Sequence, residues 1–430
     1  MTAWFLGSVS LDVLASGVVA TLAALFLPQA ALTAWFVGLL ARRPRAAPRP
    51  EAASTPAEVV LCLKGRDPQL EEVFVALAGQ QHADWRLRIV VDSTTDPAWA
   101  VAREATARLE REGLASWKTC SIEPLAGRPA AGSLKCASLR QALVTLDPTT
   151  RVAALVDADA VVHDRWLVTL VDACLEEGVG AVSGNRWYEP ERDSVAGTVR
   201  AVWNGGAIVQ MAAFGIPWGG SLAVRREAME ATGWCDLING TLCEDTALAA
   251  PLARAGWRYR FLPSIFAVDT DDAERLEPLT RWIARQLLTA RLHHPRWLLV
   301  AVHGLGTSLA LGLALVVALL AWRGGRSDLA GGVMAAVVAY EVGSIALLLS
   351  ITLAVRRVLV ADGRPLRALT VARAAWLGAC VPLTQCVYAV ATLMALTART
   401  VEWRGIVYEI VWGRDADARA ARRAAVRITP

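Results

Sequence analysis

Four stretches of the chain stay apolar for longer than the ~20 residues a helix needs to cross a bilayer. Residues 13–40 form the first, and 298–322, 329–355 and 368–398 form the others. Arg42, Arg43 and Arg45 follow the first run and no basic cluster precedes it. That order predicts a retained anchor, not a cleaved signal peptide, and puts the next segment in the cytoplasm. A Pro/Ala/Arg-rich linker then runs over 42–56. Short loops bearing Arg323 and Arg326, then Arg356, Arg357, Arg364 and Arg367, separate the later runs. Glu341 and Arg373 fall inside apolar stretches, where a charge is costly, and are expected to face protein. Three spans after a cytoplasmic domain would leave the tail outside. Yet that tail carries Arg399, Arg404, Arg414, Arg419, Arg422, Arg423 and Arg427, which favour the cytoplasm. Pro382 in the last run leaves open a bent or re-entrant pair.

Between the first and second runs the pattern changes. Short apolar runs at 58–65, 87–93, 116–122, 151–157, 179–184, 220–225 and 257–262 read as strands. Amphipathic stretches at 98–112, 133–146, 164–177, 195–213 and 241–255 read as helices, with Asp67-Pro68 and Asp96-Pro97 as start signals. Strands alternating with helices predict an α/β domain with a mostly parallel, covered sheet over 57–274. Ligands of such sheets bind beyond the carboxyl ends of the strands, where Asp92 and Asp157 fall. The segment 275–297 mixes Arg281, Arg285 and Arg291 with Trp282, Trp297 and apolar residues. It predicts an amphipathic helix at the membrane interface, with snorkelling arginines and aromatic anchors.

Composition narrows this picture. The 430 residues are 55% hydrophobic, with a mean hydropathy of +0.38, as expected for a soluble domain joined to membrane spans over 1–41 and 298–398. The net charge of +4 is small, and its arginines cluster beside the apolar runs. That argues for membrane flanks and against a nucleic-acid partner. Eight scattered cysteines show no zinc spacing and predict free thiols.

The candidate chemistry is acidic. Asp157 and Asp159 end an apolar strand one residue apart, so a hard divalent ion can be held against phosphate oxygens; capping of the next loop is the plainer alternative. Glu244 and Asp245 open the 241–255 segment, either as charges favoured by a helix N-terminus or as a general base for an acceptor hydroxyl. VDTDDAE (268–274) reads as a solvated cap, and His293 and His294 as interfacial residues.

Taken in order, LCLKGRDPQLEEVFVAL, VVDSTTDPA, LVDADAVV, WGGSLAVRR, LCEDTAL and WRGIVYEI make the chain resemble membrane-bound family 2 glycosyltransferases from about residue 58 to 412. The resemblance is strongest to the branch that includes ceramide and hopanoid glucosyltransferases. It implies a GT-A fold, Rossmann-like, with a cytoplasmic catalytic domain in an integral protein of the inner or plasma membrane. It further implies a UDP-sugar donor, Mg²⁺ or Mn²⁺, and inverting hexosyl transfer. The acceptor follows from placement: the active-site face of a cytoplasmic domain tied at both ends to a bilayer meets a lipid hydroxyl at the interface. In that pattern Asp92 holds the uracil, Asp157 the ribose or metal, and Asp159 the metal. Lys135 contacts the nucleotide, Arg281 reaches the diphosphate, Trp282 joins it in binding the nucleotide sugar, and Asp245 is the base, supported by Glu244. Pro278 departs from the family's polar residue at the start of its last motif, which argues against a polysaccharide synthase. A polyprenyl-phosphate sugar synthase and a transporter or receptor with a nucleotide-binding domain remain as alternatives.

Overall fold

The computed structural model describes residues 10–42, 48–270, 273–412 and 424–428. Arg43 and Arg45 of the first basic cluster, and Arg414, Arg419, Arg422 and Arg423 of the tail, lie outside the described residues. The chain opens with α1 (Leu11–Ala41) and α2 (Pro50–Ser54), then enters the sheet domain through β1 (Ala57–Leu63), α3 (Leu70–Ala78), β2 (Trp85–Val91), α4 (Pro97–Arg111), β3 (Thr119–Pro124) and α5 (Leu134–Val144). It continues through β4 (Val152–Val156), α6 (Trp166–Cys174), β5 (Val179–Tyr188), α7 (Val195–Phe214), β6 (Ser221–Arg225), α8 (Arg226–Thr232), α9 (Trp234–Leu237), α10 (Ala249–Arg254) and β7 (Arg258–Asp269). The remainder is α11 (Leu276–His293), α12 (Trp297–Arg323), α13 (Ser327–Ala361), α14 (Val371–Ala379), α15 (Val381–Thr397), β8 (Thr400–Trp403), β9 (Ile406–Trp412) and β10 (Ala424–Ile428).

Seven strands form one sheet in the order β3-β2-β1-β4-β6-β5-β7. All run parallel to their neighbours except β6, which is antiparallel to both β4 and β5. Alternate residues of the strands face opposite layers. Val59, Leu61, Leu87 and Ala154 pack on α3, α4 and α6, whereas Val60, Val90, Ala153 and Leu155 pack on α5, α8 and α9. With four long apolar helices added toward the two ends of the chain, this is the mostly parallel, covered α/β sheet that the sequence predicts, and it agrees with the fold that the resemblance implies.

Two of the boundaries that differ from expectation shape the site. Asp96 caps α4 as expected, accepting from Ala98 N, but Glu244 and Asp245 do not begin a helix. They lie in a turn, and α10 starts only at Ala249, so the helix-dipole reading of this pair falls away. Strand β7 runs seven residues past its expected end at 262, because it continues along β5 after a bulge near Ser183. That extension carries Asp269 to the carboxyl edge of the sheet, buried, and not into a solvated cap.

Outside the sheet domain, α1, α12 and α13 pack together through Ala15, Val18, Leu22, Ala314, Val317, Val333 and Val337. Among the described residues, four helical segments are long and apolar enough to cross a membrane by length and composition, the last being Val371–Thr397. The first three each have one end toward the sheet domain and one away. Asp12, near the start of α1, pairs with Arg326 beyond α12, while Arg356, late in α13, pairs with Glu189 after β5 at 2.9 Å. The last segment, broken at Cys380, returns to the side it left. Arg373 at its start pairs with Glu189 at 2.7 Å, Gln385 reaches Ser308 and Glu341 of the bundle, and Ala395 and Ala398 accept from Arg291 of α11. Both charges within the apolar helices therefore face protein, and the described part of the tail, which carries Arg399, Arg404 and Arg427, lies on the sheet-domain side.

Strands β8, β9 and β10 form an antiparallel sheet that is stitched to the main domain. Gly132 N donates to Val426 O at 2.7 Å, Val426 N to Gly240 O at 2.9 Å, and Leu134 N to Tyr408 Oη at 3.3 Å. Gly132 has φ +87°, and a Cβ there would lie 2.7 Å from Gly240 N, so the turn before α5 admits glycine alone.

Candidate active site

Strands β2 and β4 end at the same edge, and each delivers an aspartate there. Asp92 pairs with Lys64, just past β1, at 2.6 Å. Asp157 sits between two cations, with Lys135 Nζ 2.7 Å from Oδ1 and Arg186 Nη2 3.5 Å from Oδ2. Burial would raise the Asp157 carboxyl, but Lys135 and Arg186 outweigh it and hold it below the ordinary range. Asp159 takes a bidentate fork from Arg186, at 2.6 and 2.8 Å. Arg186 also reaches Asp269 at 3.2 Å. Burial opposes the Arg186 charge, yet Asp159, Asp269 and Asp157 keep it firmly protonated.

Lys135 gains its position from the first turn of α5, whose cap Ser133 accepts from Cys136 N. Its ammonium lies 2.8 Å from Glu244 Oε1 as well as near Asp157. Desolvation would discharge it, and the two carboxylates hold its pKa well above the ordinary lysine value. Glu244 is fully buried; burial and the neighbouring Asp245 raise its carboxyl despite Lys135. Asp245 is fixed by three donors to its two oxygens. Gly219 N gives to Oδ2 at 2.7 Å, while Thr246 N and the Cys243 thiol give to Oδ1 at 2.5 and 2.9 Å. Gly219 and Gly220, between α7 and β6, make this approach possible. A Cβ on Gly219 would collide with Glu244 Oε1, and one on Gly220 would lie 2.6 Å from Asp157 Oδ2.

Asp92, Lys135, Asp157, Asp159, Asp245, Arg281 and Trp282 all line one cavity of about 1530 Å³, whereas Glu244 sits behind it. Trp282 meets Tyr188 and Trp203 edge-on, at 5.8 and 5.6 Å. Arg281 is exposed and paired with Glu277 at 2.6 Å. The snorkelling expected for the other α11 arginines is not what the structure has. Arg285 lies over the Trp403 ring at 5.0 Å and Arg291 over Trp412 at 5.6 Å, so both hold the C-terminal strands. Pro278 lines the cavity too. The eight cysteines are free, as expected.

Sequence reasoning missed Lys64, Arg186 and Asp269. Arg186 lies two residues past the apolar run at 179–184, in a part of β5 with no motif around it, and only the pairing of β5 with β7 places Asp269 beside it. From α1, α7, α12, α13 and α15, the cavity is lined by residues such as Leu25, Leu32, Val302, Leu347 and Ile351. Polar side chains also face it there, as a transporter would require, but they open onto the same space as the carboxylates.

A divalent ion suits the oxygen chemistry of Asp157, Asp159 and Asp269. Arg186 already engages both oxygens of Asp159, so an ion there shares those carboxylates with a guanidinium. Among the described residues, Cys243, Glu244 and Asp245 also bring ligand atoms within 4.8 Å of one another. Burial and then Asp245 keep the Cys243 thiol protonated, which suits it poorly to binding a hard ion.

No curated protein matches the chain. Among solved structures, the mannosyltransferase PcManGT from Pyrobaculum calidifontis, in complex with GDP-Man and Mn²⁺, is 18% identical. The match covers 88% of this chain and 99% of that one, with a TM-score of 0.45. Glucosyl-3-phosphoglycerate synthase from Mycobacterium tuberculosis, in complex with phosphoglyceric acid, is 17% identical over 58% of this chain and 85% of that one, with a TM-score of 0.37. The motifs resemble family 2, but the family model that matches carries a different number. Glycosyl transferase family 21 spans residues 18–416, nearly the whole length, taking in the carboxylate cluster, most of α1 and all of the later apolar helices, and the chain belongs to that family.

Proposed function

We propose that this glycosyltransferase moves a sugar, with inversion, from a UDP-sugar to the hydroxyl of a membrane lipid. One observation carries the reading. A single cavity is lined at one end by Asp92, Asp157, Asp159 and Asp245 and at the other by apolar residues of the membrane helices. A soluble acceptor has no need of the second end. The catalytic face is assigned to the cytoplasm, since Arg356, Arg364, Arg367 and Arg404 gather on the sheet-domain side.

In this reading Asp92 meets the uracil, and Lys135, Arg281 and Trp282 meet the ribose and diphosphate. Asp157 and Asp159 would hold Mg²⁺ or Mn²⁺, which would neutralise charge developing on the departing diphosphate. Asp245 takes the proton from the acceptor hydroxyl as its oxygen bonds to the anomeric carbon. The bond from that carbon to the diphosphate oxygen breaks, and UDP leaves with the electron pair. Three fixed donors hold the Asp245 carboxylate for this task. Glu244 acts through Lys135, which it helps to position.

The test is purified enzyme with labelled UDP-sugars and a membrane lipid extract. Labelled glycolipid is expected, and Asp245→Asn should lower its formation by about 10²–10⁴ while UDP binding persists. Absence of labelled lipid with every donor would remove the lipid-acceptor reading.

A further inference from the structure

Arg186 stands near the carboxyl end of β5, where its backbone is pinned on both sides. Its N–H donates to Asn185 Oδ1 at 2.7 Å, and its carbonyl accepts from Asn204 Nδ2 of α7 at 2.9 Å. The side chain is 12% exposed, and its guanidinium lies over the Trp218 ring, 5.1 Å from the centroid. Held in this way, Nη1 donates to Asp159 Oδ2 at 2.8 Å and to Asp269 Oδ2 at 3.2 Å, while Nη2 donates to Asp159 Oδ1 at 2.6 Å. One guanidinium thus engages both oxygens of Asp159, and the same fork lies 3.5 Å from Asp157 Oδ2. Lys135 holds Asp157 through its other oxygen at 2.7 Å.

Charge decides what such a site can bind. Asp157, Asp159 and Asp269 bring three negative charges, and Lys135 and Arg186 set two positive ones against them. The affinity of carboxylates for a hard divalent ion follows their uncompensated charge, and a fixed cation beside them repels the ion. A free Mn²⁺ or Mg²⁺ therefore meets carboxylates that are already largely neutralised. A nucleoside diphosphate changes this. It adds negative charge, and its oxygens suit the ion and the guanidinium alike, because an arginine fork fits phosphate as well as carboxylate. We infer that Arg186 sets the order in which the metal is acquired, barring Asp157 and Asp159 to a free divalent ion and yielding them to one that arrives with a diphosphate. The inference rests on the reading that these two carboxylates hold the ion. It adds the residue that makes the ion conditional on the donor.

The experiment titrates Mn²⁺ into the purified full-length protein in a neutral detergent and follows the paramagnetic resonance signal of the free ion, corrected for what UDP binds without protein. Wild type is expected to bind Mn²⁺ at least about tenfold more tightly with saturating UDP than without it, the scale on which groups around a metal site act. Uridine, which lacks the phosphates, should give no such gain. Arg186→Gln removes both charge and fork and should bind Mn²⁺ alone about tenfold or more tightly than wild type does. Arg186→Lys keeps the charge, loses the fork and should fall between the two. Wild type that binds Mn²⁺ equally with and without UDP overturns the inference whatever the variants do. So does a gain from uridine equal to that from UDP, or an Arg186→Gln protein that still binds UDP but takes up the lone ion no better. No binding of Mn²⁺ in any arm, with UDP bound, overturns the metal reading as well.

Discussion

At the residue scale the site is a chain of alternating charges, in which Lys135 and Arg186 each bridge carboxylates that would otherwise repel. Asp157 and Glu244 share Lys135 but are shifted in opposite directions, so their contributions to stability oppose each other with pH. The lowered Asp157 pKa contributes stability that is present above ~3.9 and lost as pH falls through its depressed folded value. The raised Glu244 pKa contributes stability that is full below ~4.3 and lost as pH rises through its elevated value. Asp157→Asn should therefore flatten the acid-side fall of the melting temperature, whereas Glu244→Gln should gain on wild type as pH rises. Melting curves in detergent across the acid to neutral range check both signs. Gly219→Ala pushes a methyl group into Glu244 and should cost about 1–3 kcal/mol; an unchanged melting temperature would mean that the buried carboxylate can move away. Asp92, Asp157, Asp159 and Asp245 were legible in the chain because strand ends and short acidic motifs have local signatures. Arg186, Lys64 and Asp269 were not, since their meaning comes from strand pairing over long separations.

At the scale of elements, apolar periodicity located the seven strands of the main sheet and the four long apolar helices, because each buries a continuous face or stripe. It could not give the reversed direction of β6, which is a matter of topology, nor the loss of helix around Glu244 and Asp245. There, contacts to Gly219 N and Lys135 replace the helix that local pattern suggested. The contacts of α14 and α15 predict an arrangement that a hydropathy profile does not show. Epitope tags inserted at Gly363 and at Gly405 should be read on one face of sealed vesicles, and a tag at Gly325 on the other. Finding Gly363 and Gly405 on opposite faces would mean that α14–α15 crosses outright, which the contacts of Arg373 and Arg291 forbid.

For the whole molecule, the cavity belongs to no single part. Its walls come from the sheet domain, from α1 ahead of it, from the later helices, and from Thr400, Trp403, Arg404 and Tyr408. Removing residues from Thr400 onward should cut transfer by at least about tenfold, because Tyr408 and Val426 hold the turn that carries Lys135. An unchanged kcat/KM for the donor would show that this turn stands without them. Order along the chain then has a consequence in time. A ribosome makes Asp92, Lys135 and Asp157 early, but the strands that buttress the turn before α5 emerge only after every long apolar helix has been translated. The newborn polypeptide therefore lacks the full support of its Lys135 turn until the last of those helices has been made.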